Sequence, residues 1–169
     1  ESIVIGKELG LKDVETVVRH CIAAWGAGTN AFGTSYNYGQ CMAPAGLTNI
    51  AALAGGSFHS LALRADGTVV AWGRCKAAQC AIPARLENYS AIAAGSWRSV
   101  VLKSDGTIQT FNLEEHHEIT QNLTGIAAIS AGYAHVLALR KNGTVVAWGD
   151  NTYGQCDVPE GLNQVTAIS

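Results

Sequence analysis

The sequence predicts an all-β repeat protein, and three observations predict it. One segment is written four times: "IAAWGAGTNAFGTSYNYGQCMAPAGL" from Ile22, "VVAWGRCKAAQCAIPARL" from Val69, the fainter "IQTFNLEEHHEITQNL" from Ile108, and "VVAWGDNTYGQCDVPEGL" from Val145. Before each of the last three runs comes a β-rich segment ending in a turn dipeptide: Asp66-Gly67, Asp105-Gly106 or Asn142-Gly143. Glycine is abundant, 19 of 169 residues, as a chain of many tight turns requires.

Aligning the copies on the aromatic residue after the apolar run gives Trp25, Trp72, Phe111 and Trp148, at intervals of 47, 39 and 37 residues. The long first interval has one cause. Trp25 stands 15 residues before Gln40, whereas Trp72 and Trp148 stand 7 before Gln79 and Gln155. An insertion of eight residues within 27–38 accounts for the excess. Each ordered tryptophan can bury about 150–250 Å², or about 4–6 kcal/mol of transfer free energy.

Within each repeat the elements follow in order. "IAALAGG", "AIAAGS" and "AISAGY" are alanine-rich strands ending at glycine, small enough for neighbouring sheets to approach closely. "SLALRADGTVVAW", "SVVLKSDGTIQTF" and "VLALRKNGTVVAW" are hairpins, because glycine accepts the positive φ that the turn needs. A weak helix candidate spans 14–20. Strands of about four to six residues in small antiparallel sheets, repeated every ~38 residues, predict blades of a β-propeller. A β-solenoid is the alternative, with turns usually shorter than this period. The chain reads as a single domain, 1–169, of about four repeats near 22–68, 69–107, 108–144 and 145–169, the last completed by 1–21.

Composition narrows the function classes. Hydrophobic residues make up 48% and charged residues 14%, and the formal charge is −2, which leaves no electrostatic footprint for nucleic acid. No apolar run reaches the about 18 residues of a membrane span. The N-terminus lacks the layout of a signal peptide, and a mature extracellular or periplasmic form is the favoured localisation. There are five cysteines. Cys41, Cys80 and Cys156 each follow glutamine at repeat-equivalent positions and read as small buried packing residues. Cys75 lies five residues before Cys80, so a local disulfide is open. No zinc-type spacing, phosphate-binding loop or cofactor motif is present.

The pattern "AGxxHSLALxxDGTVVAWGxNxYGQ" resembles the regulator of chromosome condensation repeat, through Gly55–Gly73 and Ala131–Gln155. The resemblance covers about residues 22–169, although the third copy loses the Trp-Gly and Gly-Gln pairs. It implies a seven-bladed propeller built from seven such repeats, more than this chain holds. It extends to secreted bacterial propellers that block β-lactamases with a loop face.

The two ends complement one another in sequence. "QVTAIS" at 164–169 matches the first strand of a blade, and "ESIVIGKELG" at 1–10 matches the strand that follows, as in "HSLALRADG". Ser2, Ile3, Val4 and Ile5 with Val165, Ala167 and Ile168 are therefore candidates for a strand-complementation edge. An open sheet edge invites pairing. Closure as a small ring, head-to-tail completion by further copies, or a piece of a longer propeller follows, the last two being favoured.

"EEHHE" at 114–118 gathers two histidines and three carboxylates, but adjacent residues of a strand or loop point apart, so a solvated polar loop is expected. His59 and His135 share one repeat position with Arg98, which predicts structural hydrogen bonding, since a catalytic triad is placed once and not periodically. Candidate partner-binding residues are Phe32, Tyr36 and Tyr38 of the inserted loop, the Trp97-Arg98 pair, and Tyr153, because rigid aromatics and arginine dominate interface energetics. The expected function is a non-enzymatic protein-interaction or assembly module whose partner is another protein or further copies of itself. A secreted enzyme inhibitor and a guanine-nucleotide exchange module are the alternatives.

Overall fold

The computed structural model describes residues 38–75, 78–82, 88–112 and 123–169. Each sheet is a three-stranded antiparallel meander with neighbours in chain order. The first contains β1 (Ile50–Gly55), β2 (His59–Arg64) and β3 (Val69–Gly73). The second contains β4 (Tyr89–Ala94), β5 (Arg98–Lys103) and β6 (Ile108–Asn112). The third contains β7 (Ile126–Ala131), β8 (His135–Arg140) and β9 (Val145–Gly149). A 3₁₀ turn, Ala78–Cys80, lies between the first two sheets. The expected all-β blades are present. The helix candidate at 14–20, the "EEHHE" segment, and the candidates Phe32, Tyr36, Ser2, Ile3, Val4 and Ile5 lie outside the described residues.

The sheets run across the repeat boundaries read from sequence. The boundary at 68/69 falls in the turn between β2 and β3, because the conspicuous Trp run is the last strand of a sheet rather than its first. Each hairpin turn is a three-residue loop: Gly67 N donates to Arg64 O at 2.9 Å, and Arg64 N to Thr68 O at 2.8 Å. Asp66 Oδ1 accepts from Thr68 N at 2.9 Å and Thr68 Oγ1 at 2.6 Å, and Asp105 and Asn142 hold Thr107 and Thr144 in the same way. These bonds hold the exposed carboxyls of Asp66 and Asp105 below the usual range. The first strand of every sheet carries a β-bulge, at Ile50/Ala52, Tyr89/Ala91 and Ile126/Ala128, which adds local twist.

Both faces of β2 and β5 are covered, so β2 reads as a continuous apolar run rather than an alternating one. Leu61, Leu63 and Val69 of the first sheet pack with Tyr89 and Val101 of the second. Ala93, Val100 and Leu102, on the other face of the second sheet, pack with Ile126, Val136, Ala138 and Trp148 of the third. The outer face of the first sheet is closed by Leu47, which sits with Ala62 and Trp72. At the corner between the first two strands of each sheet the sheets approach so closely that a Cβ on Gly95 would stand 2.6 Å from Gly132 O, and one on Gly56 would overlap Gly95 O. Nothing larger than glycine fits there.

The three cysteines read as buried packing residues are half-buried instead. Cys80 is disulfide-bonded to Cys75, with Cα atoms 5.2 Å apart. The reason is local. Cys75 occupies the position of Asn151 in the last repeat, whose side-chain Oδ1 accepts from Cys156 N at 2.8 Å. The covalent bond in one repeat stands where a hydrogen bond stands in another.

Candidate functional site: an aromatic and arginine face across the first two blades

The Gly-Gln loops are latched to the blade that follows them. Ser60 and Trp72 are cross-strand partners on β2 and β3. Ser60 Oγ and Trp72 Nε1 both donate to Gln40 O, each at 2.8 Å. Gln40 in turn shapes its own loop, accepting Tyr38 N at Oε1, 2.9 Å away. One repeat later Ser99 Oγ donates to Gln79 O at 2.6 Å, while the Phe111 side chain opposite Ser99 has no N–H to offer. The tryptophan of the repeat is therefore a hydrogen-bond donor as well as core volume.

His59 lies wholly buried in this seam, its Nε2 at 2.9 Å from Ser99 Oγ. A buried His beside a buried Ser invites a catalytic reading, and the geometry answers it. The Ser99 proton is committed to Gln79 O, so His59 Nε2 must donate to Ser99 Oγ and cannot serve as its base. Burial lowers the His59 pKa to about 4, which fixes the neutral ring. This is the structural hydrogen bonding expected at the position. Among the described residues no three His, Cys, Asp or Glu side chains gather to hold a metal ion.

Above this seam four side chains converge. Tyr38 comes from the latched loop, Phe58 from the β1–β2 corner, Trp97 from the same corner of the second sheet, and Arg74 from the residue after β3. Arg74 N donates to Phe58 O at 2.8 Å, and Arg74 O accepts from Gln79 Nε2 at 2.5 Å, so its backbone is pinned on both sides. The guanidinium carbon lies 4.7 Å from the Tyr38 ring centroid, 4.6 Å from Trp97 and 5.6 Å from Phe58. Phe58 and Trp97 centroids are 4.6 Å apart, and Tyr38 meets Phe58 edge-on at 5.6 Å. Arg74 Nη1 also donates to Tyr38 Oη at 3.3 Å. All four side chains are half-buried, leaving part of each ring on the surface.

Of the sequence candidates among the described residues, the structure brings Tyr38 and Trp97 together on Arg74 and sends Arg98 and Tyr153 elsewhere. The arginine that meets Trp97 is Arg74, not its chain neighbour Arg98. Arg98 runs toward the third sheet, where its Nη1 lies 3.2 Å from the place of a Gly149 Cβ. There it assists Thr152, whose two hydrogen bonds are the main cause of the lowered Asp150 carboxyl pKa. Tyr153, repeat-equivalent to Tyr38, is 91% exposed. Phe58 and Arg74 were missed by sequence reading, yet a signal existed: Phe58 and Trp97 share the position just before the periodic His/Arg. In the third sheet that position is Ala134 and Arg74 gives way to Asp150, so among the described residues the cluster belongs to the first two blades.

Comparison with known proteins agrees with this architecture. Residues 50–74 and 126–155 match the model of the regulator of chromosome condensation (RCC1) repeat. The intervening sheet escapes the match, having lost its Trp and His, but keeps the same strands and bulge. Among solved structures the chain is similar to yeast RCC1 (Prp20) bound to Kap60, at 22% identity and a TM-score of 0.51, over 63% of this chain and 33% of that one. It is similar to Prp20p of Saccharomyces cerevisiae at 22% identity and 0.50, over 62% and 34%. Human WBSCR16 matches at 18% identity and 0.51, over 59% and 33%. The chain thus spans about a third of the length of these relatives. No curated protein sequence matches it. With strands, bulges and interlocking loops repeated in register from blade to blade, the chain carries RCC1-type repeats at 50–74 and 126–155 and its sheets are similar in fold to blades of the RCC1 β-propeller.

Proposed function

We propose that the chain is a non-enzymatic protein-interaction module whose contact face is centred on Tyr38, Phe58, Arg74 and Trp97. The observation that carries this is the convergence of three aromatic rings on one guanidinium, supplied by two blades and a loop. Trp, Tyr and Arg are the side chains most enriched among residues that dominate binding energy. Here they are held rigid by the latched loop and the pinned Arg74 backbone, so little side-chain entropy remains to be lost on binding. The His59–Ser99 geometry supports a non-catalytic reading of the buried polar groups beneath. Yeast Prp20 is described with Kap60 bound and with binding to Gsp1p and histones, which supports partner binding as a use of this fold.

The test compares proteins captured from a source extract by the wild type and by Arg74→Ala/Trp97→Ala, both checked for an intact thermal transition. The reading predicts at least one partner whose capture falls more than tenfold in the variant. Identical captured sets would contradict it. The Cys75–Cys80 disulfide favours a second version of the same reading, a secreted inhibitor in an oxidising compartment. It predicts that the wild type, and not the double variant, inhibits a β-lactamase.

A further inference from the structure

The aromatic cluster holds its own cation and leaves that cation without an anion. The Arg74 guanidinium carbon lies over the rings of Tyr38 and Trp97, 4.7 and 4.6 Å from their centroids, inside the ~6 Å range of a cation–π contact. A guanidinium is a planar fork of several N–H donors. Among the described residues Nη1 donates to Tyr38 Oη at a long 3.3 Å, and no carboxylate pairs with the group.

Other cations of the row are placed differently. Arg64, Lys103 and Arg98 lie near the carboxylates of Asp66, Asp105 and Asp150. Hydrogen bonds from Thr68, Thr107 and Thr152 do most to lower those carboxyl pKa values, and the nearby cations add to the effect. Arg74 is half-buried and has no such neighbour among the described residues. Partly dehydrating a cation without an anion costs free energy, and an incoming anion recovers it.

The rings decide what kind of ligand that is. An empty aromatic cage attracts a cation, but this one is filled, so a lysine or arginine of a partner would meet like charge. What remains uncommitted is the polar edge of the guanidinium, whose fork matches a carboxylate through two parallel hydrogen bonds. Phe58 and Trp97, with centroids 4.6 Å apart, add partly exposed apolar surface to the same cluster. One guanidinium balances a singly charged carboxylate, whereas a phosphate dianion calls for a second cation. No other Lys or Arg among the described residues joins these rings.

We propose that Arg74 anchors one carboxylate, an aspartate or glutamate side chain flanked by apolar residues in a segment of the protein partner. Trp97 and Phe58 pack on the flanking residues. This rests on the contact face proposed above and names its ligand chemistry. The rings and the pinned Arg74 backbone present the guanidinium already oriented, so the pair forms at little entropic cost.

The experiment measures binding of the full-length chain to pools of short peptides, randomised over apolar and neutral residues around a fixed centre of Glu, Gln, Lys or phosphoserine. The Glu-centred pool should bind the wild type at least tenfold more tightly than the Gln-centred pool, with the Lys-centred pool weakest. Arg74→Gln should erase the preference for Glu over Gln, and Arg74→Lys, which keeps the charge but not the fork, should reduce it at least threefold. Thermal melts confirm that the variants are folded, and the comparison of pools on the wild type needs no variant. Equal binding of the Glu and Gln pools, no binding of the Glu pool, a preference that survives Arg74→Gln, or tighter binding of the phosphoserine pool would each overturn the proposal. Trp97→Ala separates this from the contact face itself. Pools that bind without regard to the central charge but lose affinity in Trp97→Ala would leave the face standing without its carboxylate. Charge-blind pools that bind Trp97→Ala and the wild type alike would remove the face as well.

Discussion

His59 Nε2 and Ser99 Oγ stand 2.9 Å apart, both fully buried, and they belong to neighbouring sheets. The bond is a joint between blades, and it requires a neutral ring. Because burial takes the His59 pKa from 6.5 to about 4, the unfolded chain binds a proton at a pH where the folded chain does not. Stability is therefore fully present above pH 6.5 and falls as pH drops from 6.5 to 4, by about 3 kcal/mol, flattening below. Urea denaturation at pH 7, 5 and 4 measures this slope, and His59→Gln should flatten it.

The Trp72 indole can be separated from its bulk. Trp72→Phe keeps the ring in the core but loses the bond to Gln40 O, which retains Ser60 as a donor, so the carbonyl is not orphaned. The expected loss is about 1 kcal/mol. Phe111→Trp is the converse change, supplying Gln79 O with the second donor it lacks, and should raise Tm. Thermal unfolding of both variants checks the pair, and opposite signs are expected.

Glycine is demanded by space at Gly95 and by backbone alone at Gly46. Gly95→Ala drives a Cβ to 2.6 Å from Gly132 O and 3.1 Å from Arg98 Cγ. With backbone on one side, the sheets must separate, at a cost of about 3 kcal/mol. Gly46 has φ +74° and no atom within 4 Å of its Cβ position, so Gly46→Ala should cost only about 1 kcal/mol. Chemical denaturation of the two variants side by side makes the comparison.

The Cys75–Cys80 disulfide closes a short loop, with a sequence separation of 5. The chain-entropy estimate gives about 2 kcal/mol for its loss. Cys75→Asn should recover about 1 kcal/mol relative to Cys75→Ala, because asparagine can accept from Cys80 N as Asn151 does from Cys156 N. Thermal melts of the two variants test this.

Strand positions and turns were legible in the sequence because they rest on local chemistry: alternating or continuous apolar runs, Asp-Gly and Asn-Gly turns, and a periodic Trp. The second sheet was legible only by its spacing, since Phe111 and Arg98 replace the repeat's Trp and His while Val100, Val101 and Leu102 keep its core. The cluster on Arg74 was not legible. It joins Tyr38, Phe58, Arg74 and Trp97 across two blades, and proximity of that kind comes from sheet stacking rather than from any spacing within one repeat. The disulfide stayed open for the same reason: five residues of separation permits the bond, and only the turn geometry brings the sulfurs together.

The account rests on one repeated joint, in which each blade is seated by the loop that precedes it. Urea denaturation of Ser60→Ala, Trp72→Phe and the double variant tests that most directly. Because both donors share Gln40 O, the account predicts that the double variant, which orphans the carbonyl, loses about 1 kcal/mol more than the sum of the single losses. Strictly additive losses would contradict it.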